Sequence, residues 1–183
     1  WGGSRGEKTL RTLNLVTGLE GWGYRTPGDI RGGIAIGGEA PRQTVYFATD
    51  EGGVYGIPAT EAAGRAPNPS WMTPTHGAVT ADLVVSGGDL FVSSQDGFLY
   101  CMDRITGTVR WSAPHETPLE QSAAATKTSV YQARGNEVWC HDRATGAVRW
   151  KRTGVVRFVV ERDGKADLEA SDGALGAIDA KGR

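Results

Sequence analysis

Cys101 to Trp111 reads CMDRITGTVRW, and Cys140 to Trp150 reads CHDRATGAVRW. The shared pattern C-x-D-R-x-T-G-x-V-R-W returns after 39 residues. A period of roughly 40 residues marks a repeat architecture, and one built from strands marks a propeller. Within D-R-x-T-G, the carboxylate suits the backbone N–H groups of a turn, and Gly107 or Gly146 takes the left-handed position. Thr adds a hydroxyl to the same turn. The Trp that follows brings a large ring to wedge against a neighbouring blade and an indole N–H that needs an acceptor. Repetition argues for a structural role for Asp103 and Asp142, because a catalytic group is unique to its site.

Fainter copies extend the pattern in both directions. Leu13–Gly18 leads to Trp22 with Asn14 in the Asp position, and Leu175–Ala180 opens the same phrase again. A degenerate copy runs from Val54 to Pro58 and then through a Pro-rich passage to Trp71. Upstream of each copy stand short apolar runs and a turn: Thr49–Gly52, Ser94–Gly97, Ser171–Gly173 and, most loosely, Arg134–Asn136. Asp-Gly between apolar alternations signals a tight hairpin. Each unit therefore reads as four short strands, and the fold class as all-β: a propeller of four-stranded antiparallel blades. At roughly 40 residues per blade the chain holds about four blades, or an open part of a larger propeller. Residues 1–183 read as a single domain, divided into terminal strands (1–26), blade units (27–75, 76–114 and 115–153) and an incomplete last unit (154–183). Strands are expected near Val45–Thr49, Leu83–Ser86, Leu90–Ser93, Phe98–Asp103, Val109–Ser112, Ser129–Ala133, Val138–Asp142 and Val148–Lys151, with Trp111 and Trp150 buried in equivalent settings.

Bulk properties exclude several function classes. A net charge of −1 steers neither nucleic acid nor an anionic membrane to the chain. No apolar run approaches a membrane span, and no signal-type segment opens the chain, which begins at Trp1 without an initiator Met and so reads as a processed form or a fragment. The 27 glycines are scattered among Val, Leu, Tyr and Trp, as tight turns require.

The phrase L-Y-x-x-D-x-x-T-G-x-x-x-W resembles the tryptophan-docking repeat of the PQQ-like β-propeller family. The match is specific at Leu99–Trp111 and Val138–Trp150, fair at Leu10–Trp22 and Leu175–Asp179, and weak at Val54–Trp71. The family includes quinone-dependent alcohol and glucose dehydrogenases, an outer-membrane assembly scaffold lipoprotein and sensor domains attached to kinases. The resemblance implies four-stranded blades, a final blade closed by strands from both chain ends, and a location in the periplasm or otherwise outside the cytoplasm. The quinone enzymes carry adjacent cysteines in a ring disulfide, a Trp platform and an acidic cluster for Ca²⁺. Here Cys101 and Cys140 lie far apart, and no loop presents such a cluster.

Cys101 and Cys140, at equivalent places in successive blades about 10 Å apart, read as buried small residues and not a disulfide. His76 and His115 fall on one rim after Trp71 and Trp111, without a Cys or carboxylate at a matching offset, and His141 reads as a strand residue. Asp29 between Arg25 and Arg31 reads as a solvated loop. No catalytic, cofactor-binding or metal-ligating residue is assigned, and no cofactor is expected. Pro58 to Pro74 is an interaction loop or a tolerated insertion that stretches one Trp–Trp interval to 49 residues. The function expected is a non-catalytic scaffold or accessory subunit contacting other protein subunits, with no nucleic acid and no direct membrane insertion. The alternatives are a fragment of a quinone-dependent oxidoreductase and the ligand-sensing ectodomain of a receptor or kinase. Either the two chain ends pair or another chain covers the open edge.

Overall fold

The computed structural model describes residues 8–59, 67–179 and 182. Among them there is no helix, and the strands form a run of antiparallel meanders. An N-terminal sheet pairs β1 (Thr9–Leu13) with β2 (Glu20–Arg25). Blade I follows as β3 (Ala35–Gly37), β4 (Thr44–Ala48), β5 (Gly53–Pro58) and β6 (Trp71–Pro74). Blade II is β7 (Val84–Ser86), β8 (Asp89–Ser93), β9 (Phe98–Asp103) and β10 (Val109–Pro114). Blade III is β11 (Ala124–Ala125), β12 (Ser129–Arg134), β13 (Glu137–Asp142) and β14 (Val148–Thr153). A C-terminal sheet of β15 (Val155–Arg162), β16 (Lys165–Ala170) and β17 (Leu175–Asp179) ends the series. The expected strands are all present, with ends shifted by a residue or two.

Core strands lack polar alternation because both faces of a blade are covered. In β9, Tyr100 and Met102 pack towards blade I with Tyr46, Ala48 and Val54, whereas Leu99 and Cys101 pack towards blade III with Phe91, Leu119 and Val130. The chain thus builds four separate interblade clusters in place of one central core. Blade I meets the N-terminal sheet through Leu10, Trp22, Phe47 and Ile57, and blade III meets the C-terminal sheet through Val138, Trp150, Ala166 and Leu168.

The distance from Cys to Trp in the repeat has a direct cause. A register shift in the last hairpin of blades II and III places Trp111 opposite Cys101 and Trp150 opposite Cys140. In blade I the residue opposite Trp71 is Gly56, where an added Cβ would come within 2.5 Å of the ring. A small residue beneath each indole is what the position requires. Both cysteines are free and buried, in different interblade clusters.

Two expectations need correction. Trp150 is buried, but Trp111 is only half-buried, because its ring forms one wall of an open cleft between blades II and III. The sheets are not closed: among the described residues β2 pairs with β1 and not with β17, so the last blade is not completed from the N-terminus.

The outward face of the C-terminal sheet differs from its counterparts. Asp167, paired with Ala177, occupies the place of Phe91, paired with Cys101, and bonds to Arg162 at 2.6 Å. Glu169 on the same face is held by Arg157.

Burial sets the expected cost of removing each indole. Trp150→Ala should lose about 3–5 kcal/mol of stability, and Trp111→Ala a clearly smaller amount, in urea unfolding monitored by fluorescence. Equal losses would mean that the two rings share one environment.

Candidate functional site

The boundaries between blades, at the rim that carries the repeated turn, gather most of the charged and aromatic chemistry of the chain. Asp103 Oδ1 accepts the N–H groups of Ile105 (2.9 Å) and Thr106 (3.0 Å). Asp142 repeats this with Ala144 and Thr145, and Asn14 with Val16 and Thr17. The free oxygen of each Asp takes the second Arg of the phrase, Arg110 at 2.5 Å and Arg149 at 2.6 Å. That Arg hydrogen bond, helped by the turn N–H groups, holds the Asp103 carboxyl down at about 2. Arg149 acts first in the same direction on Asp142.

The indoles of Trp71 and Trp111 cross to the next blade. Trp71 Nε1 donates to the Arg104 carbonyl at 3.3 Å, and Trp111 Nε1 to the Arg143 carbonyl at 2.9 Å. The rings lie so close to Gly107 (φ +74) and Gly146 (φ +75) that an added Cβ would stand 2.5 Å from indole carbons. Glycine is therefore demanded twice at these positions, by backbone sign and by contact. Gly182 faces Trp150 in the same manner, with its Cβ position 2.9 Å away. Among the described residues, nothing lies within 4 Å of the Cβ position of Gly18.

The first Arg of the phrase has a role that spacing did not disclose. Arg104 Nε donates to the Gly87 carbonyl at 2.7 Å, tying down the turn between the first two strands of its own blade. Arg143 does the equivalent at the Thr126 carbonyl and also reaches into blade II. There it donates to Asp89 Oδ2 from Nε (3.0 Å) and Nη2 (2.7 Å), to Ser86 Oγ and to the Ser86 carbonyl. Asp89 lies 54 residues before Arg143 and also receives Arg110 at 2.9 Å. A sequence signal for this pairing is lacking, because the equivalent of Asp89 in blade III is Ser129, which receives Arg149. Beside this network lies a cleft of about 400 Å³ walled by Trp111, Arg143 and Lys127. The corresponding groove at Trp71, Arg104 and Arg42 measures about 890 Å³.

The other sequence candidates fall apart or regroup. Asp29 and Arg31 form part of a loop clamp, since Arg31 Nε and the Asp29 N–H both donate to Asp50 at 2.8 Å. His76 is exposed, and its N–H is held by Asp96 at 2.9 Å. His115 is buried away from it, against His141 and Trp139, with ring centroids 5.2 and 4.8 Å apart. His141 is a strand residue, as expected, but a fully buried one. Burial pushes His115 down to about 4 and lowers His141 as well. The Cys101 thiol is pushed up to about 12 by burial and by nearby Asp89, so it stays protonated at neutral pH. Residues 60–66 of the Pro58–Pro74 passage lie outside the described residues, and Trp71–Pro74 forms the outer strand of blade I.

The repeated turn, the four-stranded blades and the interblade indoles agree with a comparison across protein families. The model of the outer membrane protein assembly factor BamB matches residues 4–152. The chain belongs to this BamB-like family of PQQ-type repeats. Among solved structures it is similar to BamB from Moraxella catarrhalis, with 18% identity and a TM-score of 0.72 over 99% of this chain and 55% of that one. It is also similar to the computationally designed Ika8 protein, at 17% identity and a TM-score of 0.72, over 96% of this chain and 53% of that one. The designed Ika4 protein aligns at 16% identity and a TM-score of 0.64, over 82% and 91%. At these identities the likeness is one of fold, and the chain spans about half the length of the first two. No curated protein matches it.

Two outcomes follow from this geometry. Arg143→Ala should cost about 2–3 kcal/mol in urea unfolding, less than full isolation of Asp89 because Arg110 stays in place. A loss below 0.5 kcal/mol, the level of an ordinary surface substitution at about ±0.5, would remove the cross-blade role. Asp103, ordinarily near 3.8 and held near 2 when folded, adds stability that is complete above about 3.8 and fades as pH falls towards 2. Carboxyl NMR should find its midpoint near 2, rising towards 3.8 in Arg110→Met.

Proposed function

We propose that the chain is a non-catalytic propeller scaffold or accessory subunit of an extracytoplasmic assembly, acting through protein–protein contacts in the building of outer membrane proteins. The observation that carries this reading is the tip of the β1–β2 hairpin. Leu15 and Val16 are each 95% exposed there, flanked by Leu13 and Leu19. Leu15 stands where Arg104 and Arg143 stand in the later copies, and among the described residues no indole is seated on Gly18 as on Gly107 and Gly146. Contiguous exposed apolar side chains on a sheet with an open edge are the chemistry of a docking site.

The family membership supports the same reading, since its description is that of an assembly factor. In this reading residues 1–183 act as one domain, with blade units at 27–75, 76–114 and 115–153 between partial units at either end. The repeated indoles then serve as tryptophan-docking contacts that fix one blade on the next. The Asp and Arg side chains of the repeat are consumed in turns and blade contacts, which favours a scaffold over a hydrolytic or redox centre.

Leu15→Asp with Val16→Asp should leave the unfolding midpoint unchanged while reducing co-purification with the outer membrane assembly machinery from intact envelopes. Unchanged co-purification would remove this surface from the function. Dye reduction after addition of pyrroloquinoline quinone and Ca²⁺ would replace the reading with that of an oxidoreductase.

A further inference from the structure

Arg104 and Arg143 are the same residue of the repeat, but they meet different surfaces on the blade before them. Their guanidinium groups arrive at the same place. A Cβ on Gly38 would stand 3.6 Å from Arg104 Nη1, and one on Gly87 would stand 3.5 Å from Arg143 Nη2. Strand pairing fixes the rest of the correspondence. Ala35 opposite Tyr46 matches Val84 opposite Phe91, so Gly37 holds the place of Ser86 and Thr44 the place of Asp89. Arg143 finds two side-chain acceptors there, the Ser86 hydroxyl at 2.8 Å and the Asp89 carboxylate at 2.7 Å. Blade I offers Arg104 neither a serine nor an aspartate at those places.

The side chain of Arg104 is therefore only partly used. Its Nε donates to the Gly87 carbonyl of its own blade, and among the described residues neither Nη atom has a hydrogen-bond partner and no carboxylate pairs with it. The turn that faces it is also longer. Gly87 and Gly88 alone join the first two strands of blade II, whereas residues 38–43 join those of blade I. The longer turn adds Arg42, exposed and without a carboxylate partner among the described residues, and Glu39, which pairs with neither arginine. The groove so formed measures about 890 Å³, against about 400 Å³ at the next boundary. Half-buried Trp71 is one wall, and Ile105, 69% exposed, lies beside it. In repeat proteins such insertions collect on the face that binds.

We propose that the groove between blades I and II is a docking seat for a partner protein, which sets an Asp or Glu carboxylate against Arg104 and Arg42 and lays a neighbouring apolar side chain on Trp71 and Ile105. The carboxylate supplies to Arg104 what Asp89 supplies to Arg143 within the chain. A guanidinium with both Nη groups open holds such a group through charge-assisted hydrogen bonds. Two arginines against Glu39 leave the groove positive, which selects an acidic segment over a basic one. The missing group is a single carboxylate beside an apolar wall, and a net charge of −1 draws no polyanion to the chain. The seat lies outside the β1–β2 hairpin tip. It rests on the scaffold reading only in that its occupant is a protein, and a peptide titration tests it without the assembly machinery.

The probe is the peptide acetyl-Gly-Leu-Asp-Leu-Gly-amide, with its Asn counterpart as reference, titrated at neutral pH and low salt while NMR follows the Trp71 indole N–H. The Asp peptide should bind at least about tenfold more tightly than the Asn peptide, as one charge-assisted contact provides. That advantage should shrink as salt rises. Arg104→Gln should erase it. If that variant fails to fold, Thr44→Asp decides: it gives Arg104 the internal carboxylate that Arg143 already has, and it too should erase the advantage. Equal binding of the two peptides, a preference that survives Thr44→Asp, or tighter binding of inorganic phosphate than of the Asp peptide would each overturn the proposal. So would binding that appears only in Glu61→Gln, which would assign the seat to a carboxylate of this chain.

Discussion

The indole hydrogen bond to the turn of the next blade, made by Trp71 between blades I and II and by Trp111 between blades II and III, is the contact on which the rest of the architecture depends. It couples a tertiary contact to a local one, because the carbonyl it reaches belongs to a turn already closed by Asp and Gly. If the turn opens, the acceptor moves, and if the indole is lost, the glycine surface is bared. Successive blades therefore hold each other through a junction that is itself preorganised, and apolar packing fills the area behind it. This is the nearest-neighbour logic of repeat proteins, with stability distributed over boundaries instead of one core.

Most of this architecture was legible in the sequence, for identifiable reasons. The turn was readable because Asp, Thr and Gly act within five residues of one another, and local hydrogen bonding follows from spacing. The strands were readable because apolar runs and Asp-Gly turns alternate. The structural role of the cysteines was readable as a small residue, although its cause, a Trp directly across the hairpin, depends on a register shift that spacing does not show.

Contacts across boundaries were not legible. The partners of Arg143 lie 54 and 57 residues back, at positions that differ from blade to blade. Histidines were paired by rim offset as His76 with His115. The fold instead turns His115 inward against His141, because the backbone N–H of His115 is fastened to the Gly97 carbonyl at 2.6 Å. The burial of Trp111 was overestimated for a related reason: identical phrases imply equivalent frames, while exposure is set by the neighbouring residues, which do not repeat. The exposed hairpin tip at Leu15 and Val16 was hidden by the same regularity, since Leu and Val there read as one more fair copy of the phrase.

The charged outer face of the C-terminal sheet bears on self-association. A molecule with a seat at one end and a matching surface at the other is a link from which open-ended chains are made, because head-to-tail contacts that do not close into a ring extend without limit. Here the two ends do not match. Asp167 and Glu169, each tethered by an arginine, stand where an apolar surface would be needed to receive the N-terminal sheet of another copy. Burying those ion pairs would cost free energy, so this face favours contacts that leave Asp167 and Glu169 paired with their arginines over the apolar stacking that joins one blade to the next.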